Sequence, residues 1–452
     1  MKRIIFLLAL LLCSSGVTIA QDNTSKQWTL LECIEYAYDN NISIKQSQLN
    51  IEDAEIDKDD ALGNFMPSFN INANNSWNSG LTQNITTGVL ENQVTRNFSV
   101  GANLGIDIFR GLQNWRTLQR AKLSQLASQY SLEQMEDDIA LSVANAYLQI
   151  LVSKQTLDII GEQNKVTQQQ IELAESQVEA GTIPEGDVLD LRAINADEQR
   201  QIVIAENDVR ISLINLAQIL LIKDYENFEI ADESFDIPVT DLLDKDVDEI
   251  IEKSKENRYE VKIAENNVEI AQESVDIAKS AYYPTLRGFF NYNTRESDRE
   301  RISPNGEVLD PNPFIKQLYL NDGISYGLQL NIPIFNGFAT RNNVKRSQVD
   351  LERTENQLQQ TELDLESNVY QAFVDAKGAA KAYFAAQKAV EARQTAFNYA
   401  KERFDVGLSN SFELSQSKLN LTNAQNDMIN AKYNYIFNIK VLELFFGIRP
   451  ID

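Results

Sequence analysis

SVGANLGIDIFRG (Ser99–Gly111) and SYGLQLNIPIFNG (Ser325–Gly337) are two versions of one phrase, 226 residues apart and sharing seven of thirteen letters. In the first, Val100, Ala102, Leu104, Ile106 and Ile108 alternate with Ser99, Gly101, Asn103, Gly105 and Asp107. In the second, Ile324, Tyr326, Leu328, Leu330, Ile332 and Ile334 alternate with Ser325, Gly327, Gln329, Asn331 and Pro333. Period two is the mark of a strand with one apolar and one polar face.

Outward from these strands the duplication continues. FMPSF (Phe65–Phe69) answers YYPTL (Tyr282–Leu286), and CIEYAYDNN (Cys33–Asn41) answers IIEKSKENR (Ile250–Arg258), both at an offset of 217. Beyond the strands the offset is 226, pairing Phe109 with Phe335, Gly181 with Gly407 and Leu216 with Leu442. Nine extra residues therefore fall between the second pair of strands, in a charged stretch carrying Pro304, Pro311 and Pro313 that reads as an exposed loop. From Arg110 to Ala180 there is no proline, and Leu132, Met135, Ile139, Val143, Ala146 and Ile150 form a helical stripe. At 1.5 Å per residue that helix is roughly 105 Å long.

The chain thus divides into 1–20, a leader, and two structural repeats. The first, 21–245, has strands at about 67–77 and 98–109, a long helix 110–180, a helix 184–222 and an acidic equatorial segment 223–245 containing Pro238. The second, 246–452, has a helix 247–281, strands at about 284–293 and 324–335, a long helix 338–406 and a helix 411–447. A further helix near Leu30–Leu62 opens the first repeat. The expected class is mainly α with a transmembrane β-barrel: four strands at one end of a rod of long antiparallel helices.

Lys2 and Arg3 before an apolar run, then small residues up to Ala20, read as a secretory signal peptide. Cys13 would suit a lipid anchor, but Leu10-Leu11-Leu12 lacks the small residue such a site wants. With the leader gone Cys33 stands alone, so no disulfide forms within the chain. The formal charge moves from −25 to −27, which disfavours nucleic acid and favours cations or basic protein surfaces. Histidine is absent, excluding histidine triads and histidine metal sites, and no phosphate-binding glycine loop is present. Neither an enzyme site nor a cofactor or metal site is expected.

A half-buried soluble sheet shows the same alternation, but it needs an apolar cover, and here the helices run away from the strands. Segments of about ten alternating residues suit transmembrane strands, with Trp77, Tyr282, Tyr283, Tyr292 and Tyr326 placed as interfacial aromatics. Four strands cannot close a barrel, and an open edge in lipid leaves backbone groups unpaired, so several chains must share one.

The chain resembles the TolC-like outer membrane efflux channels, the outer membrane factor family. The resemblance rests on TLLECIEYAYDNN near the start, both strand–Phe–Gly junctions, VEAGTIPEGDVLDL and FDVGLSNSFELSQS, and it spans nearly the whole mature chain. It implies a homotrimer with a 12-stranded barrel in the outer membrane of a Gram-negative cell and an α-helical periplasmic tunnel. It also implies a periplasmic adaptor (a membrane fusion protein) and an inner membrane pump of RND or ABC type as partners. The expected function is the exit channel of a tripartite efflux or type I secretion system. The other reading left open is a periplasmic helical adaptor or structural coiled-coil protein, with the strands in a soluble domain.

The resemblance makes Gly181 and Gly407 the far tip of the tunnel, with Gly181, Thr182, Val406, Gly407, Leu408 and Ser409 contacting the adaptor. Thr182 is expected to cap the helix that follows it, and Ser409 or Ser411 to cap the other. Asp187, Asp190 and Glu413 are the candidate periplasmic gate. Gln416 stands where a second gate carboxylate is expected and Ser409 where a basic residue often lies, so the closing network differs from the family pattern.

Overall fold

The computed structural model describes residues 26–83, 88–233, 235–237 and 241–448. The expected leader, Cys13 and Pro238 lie outside them.

In chain order the elements are β1 (Gln27–Trp28), α1 (Leu30–Asn40), α2 (Ile42–Gly63), β2 (Ser68–Gln83), β3 (Leu90–Arg110), α3 (Gln113–Glu179) and α4 (Glu185–Ile219). Then follow β4 (Glu229–Ile230), α5 (Val247–Asn257), α6 (Tyr259–Ser280), β5 (Thr285–Ser297), β6 (Arg301–Ile302) and β7 (Val308–Leu309). The chain finishes with α7 (Phe314–Leu320), β8 (Gly323–Asn331), α8 (Ala339–Asp405) and α9 (Ser411–Phe446). Both long helices, α3 and α8, have 67 residues, about 100 Å each at 1.5 Å per residue.

The sheet runs β2-β3-β5-β8, antiparallel throughout. Its register puts Phe69 opposite Leu104, Leu104 opposite Phe290 and Phe290 opposite Tyr326 on one face. On the other face Asn70 meets Asn103, Asn103 meets Asn291 and Asn291 meets Ser325. One face is a band of large apolar side chains, and Phe69, Ile71, Ile324, Leu328 and Leu330 on it are exposed. The other is largely carboxamides, with Asn103 Nδ2 donating to Asn72 Oδ1 at 3.0 Å.

The first two strands run well beyond the expected 67–77 and 98–109, because the alternation continues past the apolar band into a paired hairpin. β8 instead stops at Asn331, short of the expected 335, since Pro333 has no N–H for the ladder. The extra residues of the second connection fold as the small β6–β7 hairpin, turning at Gly306 with φ +88°, and as α7.

Helices continue the strand order. Above the equator they pack α2–α3–α6–α8, and each joins or receives the strand in the same place. Toward the far end the neighbours are α3 with α4 and α8 with α9. Three apolar cores stack along the rod: one around Tyr147, Ile150 and Leu216, one around Val369, Ile439 and Leu442, and one around Leu191, Phe404 and Leu414. Cys33 is fully buried in the first, and burial pushes its thiol up to about 12, so it is inert at neutral pH.

The expected helices over 30–62 and 247–281 are each broken at one residue. Asn41 and Arg258, 217 positions apart, are extended with ψ 136° and 132°. Asn41 Oδ1 accepts from Ser43 N at 2.8 Å while its Nδ2 donates to Ile219 O at 3.2 Å, so the side chain caps the new helix and ties the break to α4. Arg258 is buried, with its guanidinium on Asp137 at 3.2 Å and Glu260 at 3.1 Å. Both breaks thus sit where a polar side chain gains partners by leaving the helical path.

Strand hands over to long helix through two successive left-handed residues, Gly111–Leu112 and Gly337–Phe338. A Cβ on Gly111 would lie 2.5 Å from Ser280 O and 2.8 Å from Tyr283 Cβ, whereas one on Gly337 meets nothing within 4 Å. Left-handed backbone costs a side chain about 1–2 kcal/mol at either site, and only the first adds a clash with neighbouring backbone. Gly337→Ala is therefore expected to lower the thermal unfolding midpoint slightly and Gly111→Ala severely. Equal midpoints for the two variants would contradict this packing.

Candidate functional site at the far turns

Each long helix ends in the same six-residue device. Gly181 (φ +71°) donates its N–H to Val178 O at 2.9 Å, and Thr182 N to Gln177 O at 2.9 Å. Gly407 (φ +73°) donates to Phe404 O at 2.9 Å, and Leu408 N to Arg403 O at 2.8 Å. This is a helix stop built on a left-handed residue, which only glycine adopts without steric cost.

The expected caps are corrected. The Thr182 hydroxyl turns back and donates to Gln177 O at 2.9 Å, and the α4 N-cap is Pro184, which has no side-chain bond to give. The α9 N-cap is Asn410, whose Oδ1 accepts from Glu413 N at 2.9 Å. Ser411, one residue inside the helix, instead donates its hydroxyl to Asp187 Oδ1 at 2.8 Å. The Ser409 hydroxyl is buried and bonds neither helix end.

The two turns are bound to each other. Besides the Ser411–Asp187 bond, Gln177 Nε2 donates to Asp405 O at 3.1 Å, and Ala174, Val188, Leu191, Phe397, Phe404, Leu414 and Leu421 form one core beneath. Above it the surface is apolar: Val406, Leu408 and Phe412 are 69%, 70% and 71% exposed. Of the candidate carboxylates, Asp187 joins the two hairpins and Asp190 is exposed. Glu413 faces Arg403, with Nη1 and Oε2 3.5 Å apart, while Arg403 Nη2 donates to Leu408 O at 3.2 Å. Arg403 escaped the sequence reading, which looked for a base at position 409. It sits in the last turn of α8, where a cation complements the helix C-terminus.

A second unforeseen group lies deeper. Lys418 on α9 is buried, its Nζ 2.6 Å from Glu198 Oε1 on α4 and bonded to the Thr167 hydroxyl on α3. Glu198 Oε2 also accepts from Thr167 Oγ1 at 2.6 Å and Asn164 Nδ2 at 3.2 Å. Burial holds the Lys418 ammonium below the ordinary lysine range, against the opposing pull of Glu198. Its signal was positional: Ser411, Leu414, Lys418 and Leu421 are the buried stripe of α9, with lysine in an apolar slot. Next to it, a groove of about 340 Å³ is lined by Ile160, Ile194, Glu198, Phe412, Lys418 and Leu419. Among the described residues no group of three or more His, Cys, Asp or Glu could hold a metal ion, and no helix is long and apolar enough to cross a membrane.

The sequence pattern of a family described as outer membrane efflux protein matches residues 33–220 and 250–444. The two blocks start 217 residues apart, the offset of the internal duplication. The chain is 24% identical over 361 residues to outer membrane protein TolC of Vibrio cholerae, covering 77% of this chain and 76% of that one. It is 22% identical over 409 residues to Protein CyaE of Bordetella pertussis, covering 90% and 80%. In fold it matches the crystal structure of the outer membrane protein VceC from Vibrio cholerae with a TM-score of 0.74 at 14% identity, over 92% of this chain and 96% of that one.

The Lys418–Glu198 pair pins α9 to α3 and α4, and removing one partner of a buried pair costs about 3–5 kcal/mol. Lys418→Met should therefore lower the apparent melting temperature clearly, and Lys418→Met combined with Glu198→Leu should recover most of the loss. A single variant as stable as the parent would show that the pair carries no such load.

Proposed function

This chain belongs to the outer membrane efflux protein family, and from that premise we propose how it works as an outer membrane exit channel. It is a passive conduit in a tripartite efflux or type I secretion system, through which an inner membrane pump of RND or ABC type drives cargo by way of a periplasmic adaptor. Three chains supply twelve strands to one barrel and continue it as a helical tunnel in the periplasm. No catalytic role is proposed. The adaptor reading of the chain itself has no support, because the family description names an outer membrane protein.

One observation carries the assembly: the open edges of sheet and helices coincide. β2 and β8 end the sheet, and α2 and α8 end the helical layer that continues it. α2 exposes Ile42, Leu49 and Ile56 at seven-residue intervals, and α8 exposes Val349, Leu363 and Tyr370 in the same heptad frame. These are seams waiting for a partner helix, in line with strand edges waiting for a partner strand. Pairing α2 and β2 of one copy with α8 and β8 of the next satisfies both, and repetition closes a ring.

At the far end, Asp187, Asp190 and Glu413 form the periplasmic gate, with Arg403 holding Glu413 in the closed tip. Gly181, Thr182, Val406, Gly407, Leu408 and Ser409 make the adaptor contact, its apolar points being Val406 and Leu408. The support is their place on the two linked turns and the exposure of those side chains.

Deleting the gene should sensitise cells to expelled compounds or abolish export of a polypeptide, and the protein should fractionate with the outer membrane in a detergent-extractable oligomer. Leu49→Asp should convert that oligomer to monomer and reproduce the deletion. Normal export in the deletion strain in both assays would falsify the conduit. In planar bilayers, Arg403→Ala should raise the conductance of the isolated channel several-fold, and unchanged conductance would remove Arg403 and Glu413 from the closing network.

A further inference from the structure

α7 is built with its polarity inside out. Its one buried residue, Gln317, bonds backbone only: Nε2 donates to Ser297 O at 2.9 Å and to Asn312 O at 2.7 Å, and Oε1 accepts from Ser297 N at 3.1 Å. Its outward residues are Ile315, Tyr319 and Leu320, all exposed, with Lys316 beside them. A water-facing surface helix has the reverse pattern.

The helix is seated on the apolar side of the sheet. Thr294 Oγ1 donates to Leu318 O at 2.6 Å, and the Phe98 and Phe314 rings are 5.2 Å apart between centroids. Phe98 and Thr294 alternate in register with the face of Leu104 and Phe290, not with the asparagine face. Along β3, Phe98 lies ten residues from Ile108 at the helix end of the sheet. A transmembrane strand needs about 9–11 residues. α7 therefore lies one span from the helix end of the sheet, where Asn75, Arg96 and Glu296 first interrupt the apolar face. Beneath it, Arg96 Nη2 and Glu296 Oε1 are 2.7 Å apart, with the Glu296 side chain only 4% exposed. The helix covers this ion pair on the face that otherwise meets hydrocarbon, and offers apolar side chains in its place.

We propose that α7 is an interfacial anchor: Ile315, Tyr319 and Leu320 sit in the boundary between headgroups and acyl chains of the outer leaflet, with Lys316 at the anionic headgroups. The occupant of this surface is lipid. Continuity with the apolar sheet face, the depth along β3 and the inverted polarity of the helix all point to it. The proposal rests on the membrane reading of the sheet, and the experiment separates the two.

In a cysteine-free background (C13S/C33S), single cysteines replacing Ile315, Tyr319, Leu328 or Asn305 are spin-labelled and the protein is reconstituted into liposomes. Collision rates with oxygen, which prefers lipid, and with a water-soluble nickel chelate are then measured. Leu328, on the apolar sheet face, reports insertion of the sheet, and Asn305, in the β6–β7 turn, reports water. The expected oxygen-to-nickel ratio at 315 and 319 is several-fold above that at 305 and between those of 305 and 328. A ratio at 315 and 319 equal to that at 305, with 328 in lipid, overturns the anchor and leaves the channel. Low collision with both agents marks a protein contact and also overturns it. A water-like ratio at 328 overturns the membrane reading itself. Should a labelled variant fail to assemble, a Tyr319→Trp variant in which Trp28, Trp77 and Trp115 are replaced by Phe gives the same decision: quenching of its single tryptophan by brominated lipids supports the anchor, and its absence overturns it.

Discussion

Backbone N–H and C=O groups cannot be left unpaired in hydrocarbon, and most of this architecture follows from that constraint. A sheet of four strands has two open ladders, at β2 and β8. They are tolerable in lipid only if the ladders meet, each unmet group costing several kcal/mol. The helices solve the same problem in side chains. Because α2–α3–α6–α8 repeats the strand order, one open edge runs the length of the upper molecule, an unpaired strand ladder above and exposed apolar side chains below.

Duplication explains why the seam is continuous. Each half supplies one helix descending from a strand and one rising into a strand, so two halves make one continuous layer. The halves have nonetheless diverged where packing differs. Gly111 is wedged against Ser280 and Tyr283 while Gly337 stands free, and the left-handed residue ending α4 is Leu221 where its counterpart after α9 is Gly447. The first pair of strands runs on as a paired hairpin; the second spends its extra residues on α7.

Sequence periodicity revealed the four strands, the offsets of 217 and 226 and the two long helices, because alternation and unbroken stripes are local properties. What it hid depends on distant partners. Asn41 and Arg258 break helices that their neighbours in sequence favour, and the compensation comes from Ile219 and Asp137. Lys418 lies among serines and asparagine and reads as a solvent residue until α3 and α4 close over it. α7 is too short for a periodic signal, and its meaning is carried by which side of the sheet it lies on. At the turns, both glycine stops were visible, but the caps were misassigned. Thr182 found a carbonyl five residues back and Ser411 found Asp187 across the hairpins, bonds that no spacing rule anticipates.

The asparagine face of the sheet has a consequence for traffic. Asn70, Asn72, Asn74, Asn103, Asn291 and Asn293 both donate and accept, and the charged groups set among them, Asp107, Arg287 and Arg295, sum to one positive charge against −25 for the whole chain. A wall of this kind solvates anions and cations alike and grips neither, much as formamide does. In the proposed barrel this face lines the outermost stretch of the passage and makes it indifferent to the sign of what moves along it, leaving any sorting by charge to the acidic helices upstream.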